Sequence, residues 1–134
     1  MNSCGLCLSR RRLIAVVVDE EGRAAPSLFA HLTDDARWGL LEYLDAIHGL
    51  DYQLVLPEEL VKVDSIGRLA LERGIDTWVA PQRLVDAIRA AARLVTGPPG
   101  RTAAMIARLT LVPVWRGHLR PLGTPKDIRQ LPLL

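Results

Sequence analysis

The stretch Ser3 to Asp19, SCGLCLSRRRLIAVVVD, constrains the fold more than any other part of the chain. Ser3–Leu8 is small and apolar, and Leu13–Asp19 is rich in β-branched residues, which suit a pleated, buried surface. The polar quartet Ser9–Arg12 separates them. Two short apolar runs joined this tightly predict an antiparallel hairpin. Asp19-Glu20-Glu21-Gly22 then marks a turn, and Ala25–Leu32 is a third extended run. A three-strand meander of this kind must be covered by the rest of the chain.

Downstream the period changes from two to 3.6. Thr33-Asp34-Asp35 offers an N-cap and first-turn acids for a helix. Its apolar face is predicted to carry Trp38, Leu41, Leu44 and Ile47, and His48-Gly49 ends it. Tyr52–Leu56 reads as a strand stopped by Pro57. Glu59–Arg73 reads as one helix, with Val63, Ile66, Leu69 and Ala70 inward and Gly74 as its stop. Ile75–Ala80 is a strand ended by Pro81. A helix over about Arg83–Val95 carries Leu84, Ile88, Ala91, Ala92 and Val95 at helical spacing. Thr96-Gly97-Pro98-Pro99-Gly100 breaks it, and Arg101–Leu111 resumes. After Pro113 prolines punctuate the chain, and Leu119–Leu134 reads as an extended tail. The order β-β-β-α-β-α-β-α-α predicts a mixed five-stranded α/β sheet with helices on both faces. Residues 1–112 form the expected domain. Residues 113–134 form a proline-rich tail that packs on its own domain or on a second subunit.

At 134 residues and 49% hydrophobic content, the chain can bury a core and is not a disordered polymer. It has no apolar run of membrane-spanning length, so no membrane association is expected. Leu13–Val18 is too short for a signal-peptide core and is followed by acids, so the expected location is the cytoplasm. The net charge of +2 hides an asymmetry: residues 1–67 hold 6 Lys and Arg against 11 Asp and Glu, and residues 68–134 hold 11 against 4. Lys62 and Lys126 are the only lysines. Two readings stay open: a basic face that meets phosphate, or a genome-wide bias toward Arg, Ala, Leu, Gly and Pro.

The element order is that of the ribonuclease H-like fold, and local motifs extend the likeness. Gly5-Leu6-Cys7-Leu8-Ser9-Arg10-Arg11-Arg12, then a strand and Asp19-Glu20-Glu21-Gly22, resembles a family opening of Gly-Ile-Asp-Val-Ser, two basic residues, a strand and Asp-Gly. Leu54-Val55-Leu56-Pro57, a helix ending at Gly74, and Val79-Ala80-Pro81 follow at the family's spacing. Pro98-Pro99-Gly100-Arg101-Thr102-Ala103 and then Met105-Ile106-Ala107-Arg108 complete it. The family is that of the N-terminal domain of DEDD insertion-sequence transposases and pilin-gene invertases, relatives of Holliday-junction resolvases. The resemblance covers most of residues 4–111, and it implies the fold and an origin in a bacterial mobile element.

It also implies where catalytic acids should stand: at Cys7, Pro57, Pro99 and Thr102, none of which is acidic. Two-metal phosphoryl chemistry needs hard oxygen ligands holding ions about 3.5–4 Å apart. A thiol is soft, proline has no side-chain donor, and threonine offers a neutral oxygen. No metal, no other cofactor and no strand cleavage are therefore expected. The family's second domain, with its nucleophilic serine, is missing from this sequence. Glu58, Asp19 and Asp64 are the acids nearest the framework, and each reads better in a structural role.

Cys4-Gly5-Leu6-Cys7 lies in a strand and lacks the helix N-terminus that activates a redox Cys-x-x-Cys pair. Two cysteines are too few for a structural zinc site, and His31, His48 and His118 have no ligand spacing. Two buried, reduced thiols are the expectation, with a zinc shared between two chains as the alternative. Arg10, Arg11 and Arg12 in the hairpin, with Arg101 and Arg108 downstream, are the candidate nucleic-acid-binding residues, provided they converge. Arg83, Arg89, Arg93, Arg116 and Arg120 are spread over the same half. The competing reading is solvated helix faces. Trp38 and Trp78 read as core residues, and no phosphate-binding loop or nucleophile elbow is present. The leading expectation is a catalytically inactive, ribonuclease H-like accessory module, with DNA or a protein as its partner. The alternatives are a divergent metal-dependent nuclease using displaced acids, and a homo-oligomeric structural module whose partner is a second copy of the chain.

Overall fold

The computed structural model describes residues 1–49, 51–93 and 100–123. Strand β1 (Asn2–Ser9) and strand β2 (Arg12–Val18) form the predicted hairpin, in register from Ser3 opposite Val18 to Ser9 opposite Arg12. Strand β3 (Leu28–His31) pairs antiparallel with β2. It is shorter than the run Ala25–Leu32, because Pro26 has no N–H to give a ladder and only Ala24 bridges back, to Val18. Strand β4 (Tyr52–Pro57) lies parallel to β1, and strand β5 (Asp76–Ala80) lies parallel to β4.

The sheet has six strands rather than five. Part of the supposed tail folds: helix α6 (Pro113–Arg116) turns the chain back, and strand β6 (Arg120–Pro121) pairs antiparallel with β5. Leu119 and Leu122 are buried on either side of that short strand, so apolar burial draws it onto the domain. Strand order is β3-β2-β1-β4-β5-β6.

Helix α1 (Asp34–His48) begins as expected, with Thr33 Oγ1 accepting from the Ala36 amide at 3.2 Å. Its buried face is Leu40, Leu41 and Leu44, while Trp38 and Ile47 are exposed. The Trp38 ring lies instead under the Arg73 guanidinium, 4.5 Å from its centroid, an arrangement that favours a half-wet indole. The predicted helix over Glu59–Arg73 is two helices, α2 (Glu58–Val63) and α3 (Ile66–Glu72). Asp64 breaks it: one carboxylate oxygen accepts from the Ile66 amide at 2.9 Å, and the carboxylate is gripped by Arg37 at 2.8 Å. The break rotates Val63 outward, where it is 68% exposed.

Helix α4 (Gln82–Arg93) buries Val85 and Ile88, while Ala91 faces outward. Helix α5 (Arg101–Arg108) follows and runs into a 3-10 turn, Leu109–Leu111. The two faces of the sheet carry separate cores. Cys4, Leu6, Leu13 and Leu54 pack with α1 and α3, whereas Cys7, Ile14, Val55 and Ala80 pack with α4 and α5. Central strands buried on both faces explain why β1, β2 and β4 read as continuous apolar runs.

Candidate functional site

The register that sets Asn2 beside Tyr52 and Gly5 beside Val55 brings the carboxyl ends of β1 and β4 together. Carried two residues further, it sets Cys7 level with Pro57, the last residue of β4. Helix α5 lies across this face at unusually close range. A Cβ at Gly5 would collide with the Ala103 carbonyl oxygen and come 2.6 Å from the Ala107 nitrogen. Only glycine permits that approach. Thr102, half-buried in the first turn of α5, immediately precedes Ala103, the residue that meets Gly5. Pro99 lies outside the described residues.

Burial pushes the Cys7 thiol up, against the pull of the nearby Arg89 guanidinium and the Ala103 amide. Glu59, also close, pushes it further up. Burial takes the Cys4 thiol up to about 12. Both thiols are free and sit on opposite faces of the sheet, because positions three apart in a strand alternate sides. They cannot share one ion or form a bond with each other.

Three side chains that sequence reasoning did not set apart complete the site. Glu59, in the first turn of α2, is ion-paired with Arg89 of α4. Gln82 Nε2 donates to Glu59 Oε2 at 3.3 Å and to Asp86 Oδ1 at 2.9 Å. The sequence contains a faint signal for this, an acid two residues past Pro57 and an arginine on the next helix but one. Their pairing depends on how α2 and α4 pack.

The other acids are engaged elsewhere. Asp64 binds Arg37 and caps α3. Asp19 accepts from the Glu21 and Arg23 amides in the β2–β3 loop, which holds its carboxyl below the usual range. Glu58 faces Lys62 at 3.7 Å. Among the described residues no three His, Cys, Asp or Glu side chains are grouped so as to hold a metal ion. Cys7, Pro57 and Thr102 are not a hard-oxygen donor set, and the nearby carboxylate of Glu59 already faces a guanidinium. The residues present do not fit a pair of divalent ions.

The candidate arginines fall into two groups. Arg10 and Arg11 are exposed at the hairpin tip, and Arg12 stacks its guanidinium 4.6 Å from the Phe29 ring centroid. Arg101 and Arg108 line an open cleft of about 610 Å³ between α5 and the β2–β3 loop. Arg108 Nε donates to the Gly22 carbonyl at 2.9 Å, and Gly22 follows the far end of β2 from Arg12. Six residues of strand, about 20 Å, separate those ends.

No protein-family model matches the chain, and no curated protein does. Solved structures do match. RuvC of Thermus thermophilus aligns with a TM-score of 0.57 at 15% identity, covering 91% of this chain and 100% of that one. T. thermophilus RuvC in complex with a Holliday junction substrate aligns with a TM-score of 0.56 at 16% identity, covering 91% and 99%. At such identities the likeness speaks for architecture alone. The six-stranded mixed α/β sheet with helices on both faces is thus the ribonuclease H-like fold that RuvC also has.

Proposed function

We propose that this chain is a non-cleaving, RuvC-like module that contacts DNA through its arginine-bearing hairpin. The observation that carries the reading is the content of the strand-end site: Cys7 and Pro57 with a Glu59–Arg89 ion pair, and no free carboxylate cluster among the described residues. Phosphoryl transfer by two metals needs several hard ligands aimed at one point. A thiol pushed up by burial, an imino acid and a neutralised glutamate do not supply them.

Two features support DNA as the partner. A protein of the same fold is seen holding a Holliday junction. Arg10 and Arg11 are exposed on a two-residue turn at φ 50° and 62°, left-handed backbone that arginine rarely adopts. The two-residue hairpin loop imposes that backbone, and it leaves both arginines exposed at the tip.

The experiment is a salt titration of retention on branched and linear duplex DNA, run beside a nicking assay with Mg²⁺ and Mn²⁺. Retention should fall steeply with salt and weaken when Arg10 and Arg11 become alanine. Salt-independent or absent retention ends the DNA reading, and ion-dependent nicking ends the non-cleaving one. A second reading, self-association, is favoured by one surface: edge strand β3 and helix α1 expose Phe29 and Tyr43 beside an open groove that both line.

A further inference from the structure

The strand-end site is not electrically empty. Two elements bring charge to it: α2 carries Glu59, α4 carries Arg89 and Asp86, and the neutral Gln82 at the start of α4 bonds to both acids. Glu59 thus receives one amide donor and one guanidinium, and its orientation is set from two sides. The Arg89 side chain is 29% exposed, so water screens the pair only in part. Cys7 registers both charges, with Arg89 and Glu59 acting on its thiol in opposite senses.

A charge count explains the odd residues. Several carboxylates converging from different elements repel one another unless a divalent cation sits among them. A guanidinium is a single positive charge that never dissociates, and one carboxylate balances it. With Arg89 in place, further acids at the strand ends would be left partly unneutralised, whereas a thiol, a proline and a threonine add no charge at all. A cation arriving from solvent would meet a like charge already seated.

We propose that Arg89 is the resident cation of this site, held by Glu59, and that it joins α2 to α4 across the strand ends in place of a metal ion. This rests on the non-cleaving reading and names what stands where the ions would be needed.

The test uses the full chain with Cys7→Asp, Arg89→Ala and their combination, counting bound Mn²⁺ by electron paramagnetic resonance and following the melting temperature. The unaltered chain and Cys7→Asp alone should leave Mn²⁺ free, because Arg89 keeps Glu59 engaged and its positive charge repels an arriving cation. The double variant should bind Mn²⁺ at least about tenfold more tightly than Cys7→Asp alone and melt higher in its presence. Adding Glu59→Gln should abolish that gain. Equal Mn²⁺ binding by Cys7→Asp and the double variant overturns the proposal, as does a folded double variant that ignores Mn²⁺. Should the double variant not fold, the single variants decide: Arg89→Ala should lower the melting temperature and Arg89→Lys should recover part of the loss. An Arg89→Ala chain as stable as the original overturns the idea. Nicking by the unaltered chain would instead strike the non-cleaving reading, and is read separately.

Discussion

Arg10 and Arg11 concentrate the tension between folding and function into two residues. A two-residue hairpin loop with both φ values positive is the shape for which Asn-Gly is favoured, since it follows the right-handed twist of the strands. A Cβ in left-handed backbone costs roughly 1 kcal/mol per residue. Replacing Arg10 by Asn and Arg11 by Gly should therefore raise stability by about 1 kcal/mol, read from urea unfolding. The same change should weaken retention on DNA. A variant that is more stable and equally retained would mean that the tip does not touch the nucleic acid. Cys7 offers a second lesson at this scale. Its neighbours on the pleat decide its environment, so the Cys-x-x-Cys spacing, which on a helix would bring two thiols together, here sends them to different cores.

Among the elements, α5 depends most on small residues. Gly5, Ala103 and Ala107 let its backbone rest directly on β1. Gly5→Ala forces the helix outward and should cost about 3 kcal/mol, measured as a shift in the urea midpoint at unchanged slope. A loss below half of that would mean that α5 slides without penalty. The α2–α3 break is the other instructive element. The apolar pattern Val63, Ile66, Leu69, Ala70 fits one continuous helix, yet Asp64 turns its carboxylate to the Ile66 amide and to Arg37, 27 residues earlier. The tertiary ion pair outweighs one turn of helix, and Val63 goes to solvent in consequence.

In the whole molecule, charge and edges are unevenly distributed. Helix α1 carries acids on one side of the sheet, while α4 and α5 carry arginines on the other. The β6 edge is two residues long and contains Pro121, a poor template for further pairing. The β3 edge is longer and flanked by exposed Phe29 and Tyr43. If a second copy binds, it should bind there. Sedimentation of the unaltered chain should then give a dimer that Phe29→Glu converts to a monomer, and an unchanged mass would remove this surface from consideration.

The order of elements, the hairpin, the α1 cap at Thr33 and the mixed sheet were legible in the residues, because periodicity, capping and turn chemistry act over a few positions. Gly5 and Cys7 could likewise be placed inside the first strand and Pro57 at the end of the fourth, since apolar runs and the prolines that stop them mark where strands lie. That Cys7 and Pro57 belong to one site was only what the family resemblance implied. Trp38 facing Arg73, the two-way split of the candidate arginines, and β6 docking beside β5 were not legible. Nor was the pairing of Glu59 with Arg89, 30 residues apart in sequence. Each depends on which helix faces meet after the sheet has formed, and a one-dimensional pattern records which side chains are apolar but not which charged ones will end up facing each other.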